Sequence, residues 1–275
     1  MTVLLHQQPL VVIDTETATS IGPPHLLELG AVRIEEGEVV AQLESFVLPQ
    51  VTIDPTTTAI HGIEENDVRL APVAEEVLGQ LNELCEGAWL VAHNARFDAK
   101  VLAFEYARAE LEGPQGPWID TLALARGVLT EAPDHKLATL VDYLDLDAGT
   151  LHRALADAVA CWQVLEACVG ELGGWERINQ LDLFRGGHAP ITIQSHTPQI
   201  PTRPATRVRQ LERARLDKEV VRLVYGGALG HPARPSVLPR FLFQDKDKGY
   251  LEAECQSSGT LKTYRLDRVQ RVELA

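Results

Sequence analysis

The run Leu10-Val11-Val12-Ile13-Asp14-Thr15-Glu16 decides how this chain is read. Four apolar residues lead into two carboxylates, the pattern of a short buried strand that ends at an edge of the core. Side chains alternate along a strand, so Asp14 and Glu16 leave on the same side of it. Outward from this run, residues 26–34 and 39–48 are further strand candidates bounded by turn or charged residues. Segments 74–84 and 99–111 carry helical apolar spacing, and the brief apolar run 89–92 between them suits a buried strand. Two more helical patterns cover 136–144 and 154–172. Three leading strands followed by alternating elements predict an α/β domain in which a mixed sheet is flanked by helices.

The chain has 275 residues, 45% of them hydrophobic and 23% charged. That composition excludes disordered and collagen-like chains. No apolar run reaches the ~18 residues of a membrane span, and the first ten residues lack a basic segment followed by a long apolar one, so a cytoplasmic protein with no membrane partner is expected. Cys85, Cys161, Cys168 and Cys255 show no metal-ligand or disulfide spacing and read as reduced, packed residues. The net charge of −14 hides an asymmetry. Residues 1–180 carry 9 basic against 29 acidic side chains, and residues 181–275 carry 16 against 10. Two modules with different tasks are therefore expected. Pro, Thr, Gly and Ser replace periodic apolar residues near 182–206. The predicted division is 1–180, a linker at 181–206, and a β-rich module at 207–275, with a mainly helical segment at 207–222 and short strands at 237–243, 249–255, 261–266 and 269–274.

An Asp-x-Glu pair is weak by itself; Asp217-Lys218-Glu219 is another, with no apolar strand before it. The company of Asp14 and Glu16 gives the pair weight. His93-Asn94-Ala95-Arg96-Phe97-Asp98 follows the strand at 89–92 and opens a helix, and His152 precedes Asp157 at the start of the last long helix. Four carboxylates gathered together would repel one another unless divalent cations lay between, so the acids make sense as metal ligands. Hard oxygen donors favour Mg²⁺ or Mn²⁺. Five helical residues would separate His152 and Asp157 by about 140°, so His152 is expected in the loop or first turn.

The segments VVIDTET (11–17), HGI (61–63), AHNARFD (92–98), IDTLALAR (119–126) and HRALADA (152–158) together resemble the DnaQ-like, DEDDh-type 3′→5′ exonucleases over residues 8–175. The resemblance implies an RNase H-like fold and a site for two divalent ions. It places Asp14, Glu16, Asp98 and Asp157 as the metal-holding acids and His152 as the general base. It assigns Asp14 to bridge both ions, Glu16 and Asp157 to the ion on the side of the attacking water, and Asp98 to the second ion. It also sets His61, Gly62 and Ile63 near the terminal nucleotide, Phe97 stacking or wedging beside its base, and Thr17 at the 3′ end. For Phe97 and Ile63, plain core packing stands as an equal alternative. His93 and Asn94 read as braces, and Asp120 as a cap outside the catalytic set.

The segment from 222 onward resembles WYL domains, through Arg234 to Pro239, Gly-Tyr-Leu-Glu-Ala at 249–253 and Tyr-Arg-Leu-Asp-Arg at 264–268. Gly249 stands where the family has tryptophan. The resemblance implies a small Sm- or SH3-like β-barrel that binds nucleic acid or a nucleotide-like ligand; from the residues themselves Arg234, Tyr250, Arg265 and Arg268 are candidate contacts, with Arg240 and Arg271 extending a cationic face for phosphates and Tyr264 a second ring for base stacking. Arginines could instead pair with the module's own carboxylates. The whole reads as a metal-dependent 3′→5′ exonuclease of DNA, acting on single-stranded or frayed ends and releasing nucleoside 5′-monophosphates, with DNA placed ahead of RNA as partner. The alternatives are an exoribonuclease or oligoribonuclease, and a non-catalytic nucleotide-sensing protein.

Overall fold

In the computed structural model, residues 7–147, 149, 152–184, 191–226 and 232–274 are described. The chain divides into two compact units, 1–197 and 198–275.

The first unit opens with β1 (Leu10–Thr17), β2 (Leu26–Glu35) and β3 (Glu38–Phe46). Two short helices, α1 (Pro55–His61) and α2 (Glu65–Val68), precede α3 (Ala74–Leu84) and β4 (Trp89–Ala92). Then come α4 (Arg96–Ala109), β5 (Trp118–Asp120), α5 (Thr121–Val128), α6 (Leu137–Leu144), α7 (Ala154–Glu171) and α8 (Gln180–Leu183). The sheet order is β3-β2-β1-β4-β5. The first three strands are antiparallel, and β4 and β5 run parallel to β1.

Strand alternation divides the core in two. Leu10, Val12, Val32, Ile34, Val91 and Ile119 pack with α7 residues such as Cys161 and Leu165. Val11, Ile13, Leu29, Ala31, Leu90 and Ala92 pack with Leu78 of α3 and Leu102 of α4. Both faces of the central strands are covered, which is why these strands read as continuous apolar runs. The sequence pattern missed α1, α2, α5 and α8, each of eight residues or fewer.

The second unit holds α9 (Ala205–Leu216), then β6 (Val221–Tyr225), β7 (Ser236–Asp245), β8 (Lys248–Cys255), β9 (Leu261–Arg265) and β10 (Val269–Leu274). The strands form an antiparallel sheet in the order β10-β6-β7-β8-β9. The antiparallel sheet meets the β-rich expectation, without a closed barrel. Among the described residues β9 and β10 form no ladder; a 3₁₀ turn at Leu266–Arg268 separates them. The sheet buries its apolar residues against Val208, Leu211 and Ala214 of α9 instead of closing on itself. The predicted helical stretch to 222 ends at Leu216, and Val221 and Arg222 belong to β6.

One other expectation changes. Part of the expected linker belongs to the first unit: Ile191 bridges Trp118, and Ile193 is buried in the core beneath the sheet. Residues 185–190 of that stretch, and 227–231 of the segment resembling WYL domains, lie outside the described residues. All four cysteines are buried and free. Among the described residues, no helix is long and apolar enough to cross a membrane.

Candidate active site

Two register facts build the site. Asp14 lies opposite Gly30, and Glu16 opposite Glu28, so β2 presents a glycine and an acid beside the acidic end of β1. A Cβ on Gly30 would fall 2.1 Å from the carbonyl carbon of Ala154 and the amide nitrogen of Leu155. The first turn of α7 therefore rests directly on β2, and only a residue without a side chain permits that approach. The docking carries Asp157, in the first turn of α7, to the carboxylates of β1. Asp14, Glu16 and Asp157 each offer an oxygen within 4.8 Å of the others.

Asp98 arrives from the other side of β1. It lies in the first turn of α4, is 2% exposed, and accepts a 2.8 Å hydrogen bond from the hydroxyl of Thr15, the residue between the two acids. It is outside the converging triad yet close enough to act on Asp14. Burial, followed by the charges of Asp98, Asp157, Glu16 and Glu28, holds the Asp14 carboxyl well above the usual range. Glu16 is pushed up to about 7 by burial, then by Asp157, Glu28 and Asp98, against a lowering by Arg153. Asp98 is also pushed up to about 7 by burial, against its bond from Thr15. Asp157 is raised by burial and eased by the His152 amide. An all-oxygen set that resists ionisation until positive charge arrives suits a hard divalent cation.

His152 stands two residues ahead of α7 with φ +65°, exposed, outside the helix. Its backbone N–H donates to both Asp157 oxygens, at 3.2 and 3.3 Å. The other expected contacts divide by burial. Phe97, next to Asp98, is 46% exposed, whereas Ile63 is core, packed with Ala18, Leu27 and Val68. His61 is buried, its Nδ1 accepts from the Ile63 amide, and burial lowers its pKa. Its Nε2 has no hydrogen-bond partner in the described structure. Gly62 takes φ +72° as the C-cap of α1. The Thr17 hydroxyl is turned to the Thr19 carbonyl. His93 is held between Thr121 and the His135 carbonyl, Asn94 donates its amide to Asp120, and Asp120 caps α5. These three brace the loop that starts α4. Sequence reading missed Gly30 and Glu28; the signal available was an acid and a glycine two positions apart in the second strand, legible only once the register with β1 is known.

In the second unit the expected contacts do not form one cationic patch. Arg265 pairs with Asp267, and Arg240 with Glu254 at 2.6 Å. Arg234 and Arg268 are exposed. Tyr250 stacks on Phe243 at 5.2 Å, and Tyr264 is buried against Tyr225. The glycine at 249 has a physical reason: a Cβ there would meet Pro201 at 2.8 Å and Leu266 at 2.9 Å. The preceding segment fills the space a larger side chain would take. A cavity of about 590 Å³ is lined by Arg203, Arg207, Lys248, Asp247 and Asp267 together with Pro204, Ala205 and Gly249. None of the four predicted contacts lines it.

Residues 11–165 match the exonuclease family, RNase_T, and residues 206–274 match the WYL domain. A DNA polymerase III of PolC type from Oceanobacillus iheyensis is 33% identical over 249 residues, which is 90% of this chain and 17% of that protein. The chain thus spans about a sixth of that relative's length. Among solved structures, exonuclease X in complex with 5′-overhanging duplex DNA is 30% identical, with a TM-score of 0.50 over 63% of this chain and 99% of the other. The nuclease domain of 3′hExo, a DEDDh family member bound to rAMP, shares the fold at 20% identity, with a TM-score of 0.53 over 63% and 97% of the two chains.

Proposed function

The chain belongs to the exonuclease family, and from that premise we propose that it hydrolyses DNA from single-stranded or frayed 3′ ends, releasing nucleoside 5′-monophosphates. The observation that carries this reading is the convergence of Asp14, Glu16 and Asp157 within 4.8 Å, with Asp98 tied to the same strand through Thr15. Asp14, Glu16 and Asp157 would hold the divalent ions, with Asp98 completing the set. Two such ions, when bound, supply charge neutralisation at the phosphodiester and at the attacking and leaving oxygens of an in-line displacement.

The chain's own groups do the rest. The imidazole of His152, exposed and ahead of the helix, takes the proton from the attacking water. Its backbone is tethered to Asp157, so the base and an acid of the metal set move together. Phe97 offers an exposed ring beside Asp98 on which the terminal base stacks. His61 and Gly62, at the C-terminal end of α1, stand beside the terminal nucleotide in this reading. The WYL domain holds the strand or regulates access to it, and the cationic groups around its cavity, Arg203, Arg207 and Lys248, suit an anionic ligand.

The test compares 5′-labelled single-stranded DNA and RNA of one sequence, with Mg²⁺, Mn²⁺ or EDTA, using the wild type and Asp14→Ala. A ladder that shortens from the 3′ end, requires metal and vanishes in the variant is the expected result. Faster loss of RNA would transfer the reading to an exoribonuclease. No shortening of either strand would overturn it.

A further inference from the structure

Glu28 is a fifth buried acid of this site, and it lies outside every motif that carries the resemblance. It is 0% exposed, sits opposite Glu16 in register, and adds to the charge that raises Asp14, Glu16 and Asp157. It does not converge with them, because both of its oxygens are engaged elsewhere. Oε1 accepts from Nη2 and Nε of Arg153 at 2.7 and 3.0 Å. Oε2 accepts from the backbone N–H of Ala154 at 3.1 Å, and Arg153 Nε lies 3.3 Å away.

Ala154 is the first residue of α7, and Arg153, the residue before it, provides no side-chain cap. A strand carboxylate thus supplies the acceptor that a helix start needs and places negative charge at the positive end of its dipole. Arg153 is fixed on its other side as well: its guanidinium lies 5.2 Å above the Phe46 ring and 3.8 Å from Glu44. The residue it precedes in the helix and the one it follows in the loop are those that matter. His152 takes a positive φ, a region that costs a non-glycine residue energy. Asp157 is one turn into the helix that Glu28 caps.

We propose that Glu28 and Arg153 form a clamp that sets the positions of His152 and Asp157, and that both act as positioning residues for hydrolysis. The inference rests on the exonuclease reading. A buried ion pair is weak as a source of stability, since apolar residues of similar volume often serve as well. A two-pronged guanidinium–carboxylate contact is strong as a source of geometry. Retaining a buried ion pair beside four other acids makes sense where geometry is what the site needs.

The test uses the full chain with Glu28→Gln, Arg153→Lys and Arg153→Ala. Glu28→Gln keeps volume and one acceptor, and Arg153→Lys keeps charge without the planar fork. Three quantities are measured: kcat and KM on labelled single-stranded DNA, Mn²⁺ affinity by the EPR signal of free Mn²⁺, and thermal unfolding. In Glu28→Gln and Arg153→Ala, kcat and Mn²⁺ affinity are each expected to fall about 10- to 100-fold, with KM near the wild-type value and the folded fraction unchanged. Arg153→Lys is expected to fall between Arg153→Ala and the wild type. Values of kcat and Mn²⁺ affinity within twofold of wild type in the folded variants would overturn the clamp. So would losses that only track the unfolded fraction. If Glu28→Gln does not fold, the Arg153 pair, at a side chain that is partly exposed, decides alone. A wild type that binds Mn²⁺ yet shortens no strand sinks the nuclease reading, while Mn²⁺ affinity still judges the clamp.

Discussion

The two units treat charge in opposite ways. In the first, Asp14, Glu16, Asp98 and Asp157 are gathered with no cationic side chain within the cluster, and each is held above its ordinary pKa. In the second, Arg213 pairs with Asp217, Arg215 with Glu212, Arg240 with Glu254, Arg265 with Asp267 and Arg271 with Glu273. These pairs engage five of the sixteen basic side chains that the sequence places after residue 180. The strongly acidic first unit gives Glu28 and Glu105 arginine partners and, among the described residues, leaves the four acids of the site without an ion pair. A buried charge without a protein partner costs folding energy, so its presence points to a partner outside the chain. A paired surface charge carries no such implication.

Four measurements break or sharpen that contrast. The largest effect is expected for Asp14→Asn, which should lower metal-dependent hydrolysis by more than the ~100-fold that loss of an outer partner of a metal ligand typically costs. Because it removes repulsion, the same change should raise the thermal stability of the metal-free chain. A metal-free Tm that falls instead would contradict the picture of acids under mutual strain.

Next in size is Gly30→Ala. Its Cβ meets backbone rather than a yielding side chain, so a loss of about 3 kcal/mol in denaturant unfolding is expected, along with a fall in hydrolysis as α7 is displaced. An unchanged unfolding midpoint would show that α7 does not depend on this contact.

The third concerns pH. The unfolded carboxylates titrate near 4, whereas Glu16 and Asp98 titrate at about 7 in the folded chain. Between those values the folded state binds more protons than the unfolded one, so the stability of the metal-free protein should fall as pH rises from about 4 to about 7. Saturating Mg²⁺ should flatten that fall. Calorimetry at stepped pH, with and without the ion, checks both halves.

The smallest effect belongs to the second unit. Arg240→Gln removes a paired, half-exposed cation and should change stability by less than about 1 kcal/mol. The slope of log affinity for single-stranded DNA against log salt should stay within half of the ~0.7 expected per phosphate contact. A drop by a full contact would mean that Arg240 leaves Glu254 for a phosphate, and that the pairing in this unit is a resting arrangement.

The site was legible to different depths. The acids of β1 stood out because a strand's period of two is written directly in consecutive residues. His152 and its separation from the helix followed from helical geometry, and the structure places it in the loop ahead of α7. Ile63 and Phe97 looked alike as apolar residues beside motifs; burial separated them, and burial depends on what packs from elsewhere. The arginines of the second unit read as a patch because sequence shows charges without their partners. Glu254 lies 14 residues from Arg240, a separation bridged by the pairing of β7 with β8.

By itself the sequence determined the order of the strands and the longer helices, the two modules, the exonuclease and WYL resemblances and the acidic set, because these are written in local periodicity and short motifs. Tertiary structure decided what long-range contact alone can decide. The register of β1 against β2 put Gly30 opposite Asp14 and Glu28 opposite Glu16. The close approach of α7 then converted an acid 143 residues away from Asp14 in the chain into its neighbour. In the second unit, α9 took the apolar interior and left the sheet open. In each case the deciding quantity is a distance between residues remote in sequence, which steric fit and burial fix only when the chain has folded.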